Sequence, residues 1–196
     1  MRLFVSVDLP AAFAEPIAAL QAAFEGASGL DFTDPEQAHV TLKFLGDTDP
    51  DRVEEITAAL ETAVEAADVA PFEATFEGLG VFPSMEYISV LWLGVGQGAE
   101  QFRTLQAPIE AGLIELGFEP ETHDFTPHVT LARMKHAGGK ELVQQLVSER
   151  EPTIGTTTVE AVSLTESRLT SEGPVYETVE RVALDGAAGN GQRFKE

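Results

Sequence analysis

Two identical tetrapeptides, His39-Val40-Thr41-Leu42 and His128-Val129-Thr130-Leu131, are the residues of this chain best suited to do chemistry. On an extended strand, residues two apart point to the same side. Each copy therefore presents an imidazole and a hydroxyl on one face and apolar side chains on the other. With an ordinary pKa near 6.5, one histidine can take a proton from an attacking oxygen while another gives a proton to a departing one. The two threonine hydroxyls can donate to the non-bridging oxygens of a phosphate held between them. A strained phosphodiester ring needs little more, so the scheme calls for no metal and no cofactor. The residues alone treat the two histidines alike, which leaves open which is the acid and which the base.

Alternation extends the reading to the neighbours. It places Lys43 on the histidine face as a candidate phosphate contact, and Phe44 on the apolar face as a core residue. Arg133, five positions after His128, falls on the opposite face. It can reach the site only from the strand end or through a bulge. Phe82 precedes Pro83 in an expected turn, where it could stack on a base or pack between lobes. His123 and His136 carry no assignable role. Gly94-Val95-Gly96-Gln97-Gly98 has the wrong spacing for a dinucleotide loop and reads as a flexible turn between strand and helix.

The elements that must position these residues form a repeat. A strand (Leu3 to Asp8), a helix (Ala11 to Phe24), a His-Val-Thr strand (Ala38 to Leu45), a helix (Asp51 to Ala67) and a strand (Phe72 to Leu79) follow one another. A polar loop is expected over Gly26 to Glu36 and a turn over Gly80 to Glu86. The order then restarts with Tyr87 to Val95, Glu100 to Leu116, His128 to Met134 and Lys140 to Ser148. One long or two short strands over Thr153 to Ser167, then Val175 to Leu184, complete it. His39 and His128 lie 89 residues apart, nearly half of the 196. The repeat predicts an α+β fold of two pseudo-symmetric lobes, with equivalent strands facing each other across a cleft. The units are 1–83 and 84–184, within a single bilobal domain, with 185–196 as a flexible tail.

Composition narrows the class. The chain has no cysteine, which excludes thiolate nucleophiles, thiolate metal sites and disulfides. No apolar run reaches the length of a membrane span, and a cytoplasmic monomer is expected. Thirty-three acidic residues against twelve basic ones give a net charge of −21. The acids are dispersed over the polar faces of regular helices beside a normal apolar content, as on proteins adapted to high salt. Such a surface opposes long-range attraction of nucleic acid, although at molar salt the Debye length is only about 3 Å. Binding of a polyanion must then rest on short contacts.

The chain resembles the two-histidine phosphoesterases, and within them the RNA 2',3'-cyclic phosphodiesterases, also called 2'-5' RNA ligases. The resemblance rests on Arg2 to Pro10, on His39 to Gly46, on Gly80-Val81-Phe82-Pro83 with Val90-Leu91-Trp92, and on Phe125 to Arg133. It implies a bilobal α+β fold with an antiparallel sheet in each lobe, helices on the outer faces and the active site between them. It also implies hydrolysis of a terminal 2',3'-cyclic phosphate on RNA, such as tRNA fragments, to a 2'-phosphate. In the reverse sense a 5'-hydroxyl replaces water and a 2'-5' linkage forms without ATP. His39 becomes the proton donor, His128 the proton acceptor, and Thr41 and Thr130 the phosphate ligands. Two alternatives stand beside this: the same chemistry on small cyclic nucleotides or ADP-ribose cyclic phosphate, and a non-catalytic binder of RNA ends. The family often carries basic residues where this chain has His123-Asp124 and Ser84-Met85-Glu86.

Overall fold

The computed structural model describes residues 1–186. The expected tail falls almost wholly on residues 187–196, outside the described residues. Among the described residues, nine strands and four α-helices form an α+β fold: β1 (Arg2–Asp8), α1 (Ala14–Ala22), β2 (Leu30–Phe32), β3 (His39–Asp47), α2 (Val53–Ala67), β4 (Phe72–Pro83), β5 (Ile88–Val95), α3 (Ala99–Glu115), β6 (His128–Met134), α4 (Lys140–Glu149), β7 (Thr153–Val159), β8 (Ala161–Thr170) and β9 (Gly173–Ala183). No helix among them is long and apolar enough to cross a membrane.

The strands make one curled antiparallel sheet in the order β7-β4-β5-β6-β3-β1-β8-β9, with β2 added beside β6. Its middle is the junction of the two His-Val-Thr strands, which are registered there through Val40 opposite Val129. Equivalent strands thus run side by side rather than opposite each other across a gap. The halves of the sheet also interleave in the chain. β4, the last strand of unit 1–83, lies between β5 and β7, while β8, from unit 84–184, lies beside β1. Each unit gives its final strands to the other half.

The helices bury apolar stripes against the sheet face opposite the histidines. Ile56, Leu60 and Val64 of α2, and Phe102, Leu105, Ile109 and Leu113 of α3, are almost fully buried with Val40, Leu42, Val129 and Leu131. The helical spacing of these residues is what makes a single side of each helix apolar. Two short segments depart from expectation. β2 forms inside the segment that reads as a polar loop, because Leu30 and Phe32 can pair with Met134 and Ala132. β4 continues through Gly80 to Pro83, where the sequence predicts a turn. It ends at Pro83, whose missing N–H cannot extend a ladder.

Candidate active site

The register at Val40 and Val129 defines a local twofold axis. Both valines point to the core, so His39, Thr41, His128 and Thr130 all emerge on the other face. The antiparallel order sets each histidine near the threonine of the other strand. The two histidine Cα atoms lie on a diagonal roughly 8 Å long, from ordinary strand spacing and rise. A phosphate-sized group between them can be touched by both rings.

Each ring is held in the same way. His39 Nδ1 is 2.9 Å from the carbonyl of Gln37, and His128 Nδ1 is 2.6 Å from the carbonyl of Thr126. A carbonyl can only accept, so Nδ1 carries the hydrogen in both rings and Nε2 is left for the substrate. Two aromatic rings flank each imidazole. Phe4 and Tyr176 stand 5.0 and 5.1 Å from His39, and Phe82 and Trp92 stand 4.9 and 5.9 Å from His128. Gln37 also fixes this collar: its side-chain oxygen accepts from the Tyr176 N–H at 2.8 Å, and its amide donates to the Pro174 carbonyl at 3.0 Å.

Burial pushes both imidazole pKa values below 6.5, because the charged ring loses hydration. The carbonyl contacts of Gln37 and Thr126 act in the opposite direction. The surroundings then separate the two histidines. Asp8 stands opposite His39 on β1 and favours its charged form. Gly94 stands opposite His128 on β5 and offers no charge, and His128 is further disfavoured as a cation by His39. The positive charge of Arg133 disfavours protonation of both.

Two β-bulges decide which neighbours join the site. On β3 the pairing steps from Thr41 to Lys43 while β1 advances one residue, and on β6 it steps from Thr130 to Ala132. The extra residue in each strand turns two successive side chains to the core: Leu42 with Lys43, and Leu131 with Ala132, all at most 2% exposed. Lys43 is therefore not on the histidine face, and the expectation that it contacts phosphate is corrected. Its Nζ lies 2.8 Å from Glu110 Oε2 and donates to the Glu119 carbonyl at 2.8 Å. Phe44, expected in the core, is instead 60% exposed. Arg133 takes the equivalent place in the other copy and is exposed on the histidine face.

The bulges also free one carbonyl in each strand, and a buried glutamine meets each. Gln21 of α1 donates to Leu131 O at 3.0 Å, and Gln106 of α3 donates to Leu42 O at 3.4 Å. Thr33 Oγ1 adds a bond of 2.8 Å to Thr130 O. These contacts hold β3 and β6 apart beyond the single valine pair. Sequence reading found His39, His128, Thr41, Thr130, Phe82 and Arg133, which the fold brings to one face. It missed Phe4, Asp8, Gln37, Trp92 and Tyr176 as parts of the histidine environment. Among these, Phe4, Asp8 and Trp92 lay within the opening and central segments of the resemblance, but no local pattern set them beside a histidine. His123 and His136 are exposed. Among the described residues, no group of three or more His, Asp or Glu side chains could hold a metal ion.

Comparison with known proteins agrees with this architecture. Residues 9–170 match the model of the 2'-5' RNA ligase superfamily, and the chain belongs to that family. Among its relatives, the RNA 2',3'-cyclic phosphodiesterase of Methanothermobacter thermautotrophicus is 34% identical over 92% of this chain and 97% of that protein. The Methanocaldococcus jannaschii protein of the same name is 30% identical over 91% and 98%. The crystal structure of a Thermus thermophilus protein superposes with a TM-score of 0.78 at 29% identity, covering 95% of this chain and 100% of that one. Escherichia coli LigT, solved with 3'-AMP, shares the fold with a TM-score of 0.74 at 24% identity over 93% and 97%.

Proposed function

We propose that this protein hydrolyses the terminal 2',3'-cyclic phosphate of RNA to a 2'-phosphomonoester, by proton transfer between two histidines. The observation that carries the reading is the pair of imidazoles with Nδ1 tied to backbone and Nε2 free, set with two threonines about one local twofold axis. The names of the relatives supply the substrate class.

His128 is the base: its Nε2 takes a proton from water as the oxygen attacks phosphorus. His39 is the acid: its Nε2 gives a proton to the 3' oxygen as the P–O3' bond breaks. Asp8 across the strand favours the protonated His39 that this requires, and Gly94 leaves His128 without such support. Thr41 and Thr130 donate to the non-bridging oxygens. Arg133 supplies positive charge on the same face, and Phe82 orients the His128 ring. The protein acts as a monomer in a salt-rich cytoplasm, on RNA ends that include tRNA fragments. The charge of −21 favours a second reading in which short or mononucleotide substrates are preferred over long RNA.

The test is incubation at high salt with an oligonucleotide and with a mononucleotide, each ending in a 2',3'-cyclic phosphate. A 2'-phosphate product is expected. A 3'-phosphate product, or no turnover of either substrate, defeats the assignment.

A further inference from the structure

The strand order is symmetric about the junction of β6 and β3, so β5 answers to β1, β4 to β8 and β7 to β9. The walls around the two histidines break that symmetry. Trp92 stands opposite Thr130 on β5, directly beside the strand of His128. The equivalent place on β1, opposite Thr41, holds Ser6. A serine is too small to wall an imidazole, and one of the rings beside His39 comes instead from β9. On a flat sheet β9 would run about 14 Å from β3, three strand spacings away. The Tyr176 ring is nevertheless 5.1 Å from the His39 ring and nearly perpendicular to it. The β8–β9 hairpin therefore arches back over the histidine face. Ser6, Ser163 and Thr165, all buried, leave it room, and the Ser6 and Thr165 hydroxyls bond to each other at 3.0 Å.

The arch is not packed down onto the sheet. A cavity of about 160 Å³ remains beneath it, bordered by Asp8, Glu36, His39, Thr165, Tyr176 and Thr178. That is several times the share of one water molecule in the liquid, about 30 Å³. Gln37 holds the arch in place. Its Oε1 accepts from the Tyr176 N–H at 2.8 Å, and its Nε2 donates to the Pro174 carbonyl at 3.0 Å. Among the described residues, no other hydrogen bond joins β9 to any part of the chain but β8. Gln37 is itself anchored, in a single 3-10 turn, Pro35–Gln37, that the Asp34 carboxylate caps by accepting from the Glu36 N–H at 2.9 Å. The Gln37 carbonyl also accepts from His39 Nδ1–H. Its counterpart Thr126 holds His128 by its carbonyl in the same way, but the Thr126 side chain makes no hydrogen bond among the described residues.

We infer that Gln37 is a positioning residue for the proton donor: its carbonyl orients the His39 ring, and its side chain clasps the β8–β9 hairpin so that Tyr176 keeps water off that ring. The inference rests on the acid role proposed above for His39. One residue thus governs both the direction and the hydration of the acid, and the base has no such clasp. Burial is the largest influence on His39 and holds its pKa below 6.5. The charged groups around it are Asp8 from β1, Glu36 from the capped turn, and Arg133 and His128 from β6. Tyr176 from β9 stays uncharged, because burial raises its phenol above the usual range. Releasing the clasp returns water to the ring. Water also weakens the pull of Asp8, but that pull is smaller than the effect of burial, so the His39 pKa rises toward 6.5.

The experiment compares Gln37→Leu, which keeps the carbonyl and removes both bonds to β9, with Tyr176→Ala, which removes the wall itself. NMR titration of the imidazoles in the full chain, in molar potassium chloride, follows each histidine without needing turnover, with the exposed His123 and His136 as references. Gln37→Leu is expected to move the His39 midpoint up and that of His128 by much less. The alkaline limb of kcat/KM should move to higher pH with it, opposite to the effect of removing the Asp8 charge. The rate kcat should fall about tenfold as the ring loses its orientation, less than the loss expected without the imidazole. Tyr176→Ala is expected to raise the same midpoint, and the double variant to go no further, because Gln37 acts through Tyr176. Should Gln37→Leu fail to fold, Gln37→Asn, one methylene too short to reach β9, gives the same reading. A His39 midpoint that stays or falls, an equal rise at His128, or full additivity in the double variant overturns the inference. Turnover without these shifts defeats the inference alone. The shifts without turnover defeat the acid role of His39 and leave the clasp.

Discussion

Lys43 is the residue whose role changes most between sequence and structure, and replacing it tests that change. The variant Lys43→Met keeps the length of the side chain and removes its charge. In the wild type the ammonium is fully buried, 2.8 Å from Glu110 Oε2 and 2.8 Å from the Glu119 carbonyl. Removing one partner of a buried pair costs about 3–5 kcal/mol because the other charge is stranded. The Glu110 side chain is 17% exposed, and its other oxygen accepts from the Glu121 N–H at 2.8 Å. It can regain some hydration, so a loss of about 3 kcal/mol is expected, at the low end of that range. For a chain of this size that lowers Tm by about 6–12 °C. The double variant Lys43→Met with Glu110→Met leaves no stranded charge and is expected to recover most of the loss. Urea unfolding of all three proteins in molar potassium chloride measures this, and the buried pair should resist salt better than a surface one. A single-variant loss under about 0.5 kcal/mol refutes the burial argument. So does a double variant no more stable than the single. A rise in KM for cyclic phosphate larger than the loss of stability would return Lys43 to the phosphate.

The remaining predictions concern the site. His39→Ala and His128→Ala should each lower kcat about a hundredfold or more, and the double variant should fall far less than the product, because the two act as a unit. Both imidazoles are displaced below 6.5, so kcat/KM of the free enzyme should be lost as pH rises through a midpoint under 6.5, where His39 gives up its proton. Asp8→Asn removes a charge that favours the protonated ring and should move that alkaline limb to still lower pH; an unmoved limb would separate Asp8 from the acid. Gln21→Leu should cost about 0.5–1.5 kcal/mol in a thermal melt, since the Thr33 and Leu131 carbonyls lose the side-chain amide while Leu131 O keeps the Thr33 N–H at 3.1 Å. Turnover should persist in EDTA, measured on the same cyclic-phosphate substrate.

Much of the site was legible because its chemistry is carried by short, repeated strings. The β6 boundaries, His128 to Met134, follow from alternation and turn residues alone. What alternation could not show is a single inserted residue. A one-residue shift turns every later side chain to the other face. After Leu42 and Leu131 this moved Lys43 inward, Phe44 outward and Arg133 onto the histidine side. β2 was missed because three residues in a polar loop make no periodic signal, and it exists only through its pairing with β6. The collar residues Phe4 and Tyr176 come from strands joined by contacts between distant parts of the chain, which local patterns do not report. Both histidines read alike in sequence, and the difference between Asp8 and Gly94 became visible only through strand register.

The exchange of strands between the two units has a consequence for how the molecule is made. β1 leaves the ribosome long before β8, yet its outer edge is closed by β8, through pairs such as Ser6 with Ser163. Until nearly the whole chain has been synthesised, the half that carries His39 must wait with an open strand edge and an uncovered apolar surface. The pairing that ends this wait spans almost the full length of the chain, a source of slow folding. A truncation within β8 would therefore disable the amino-terminal histidine first, although the missing residues lie at the other end of the sequence.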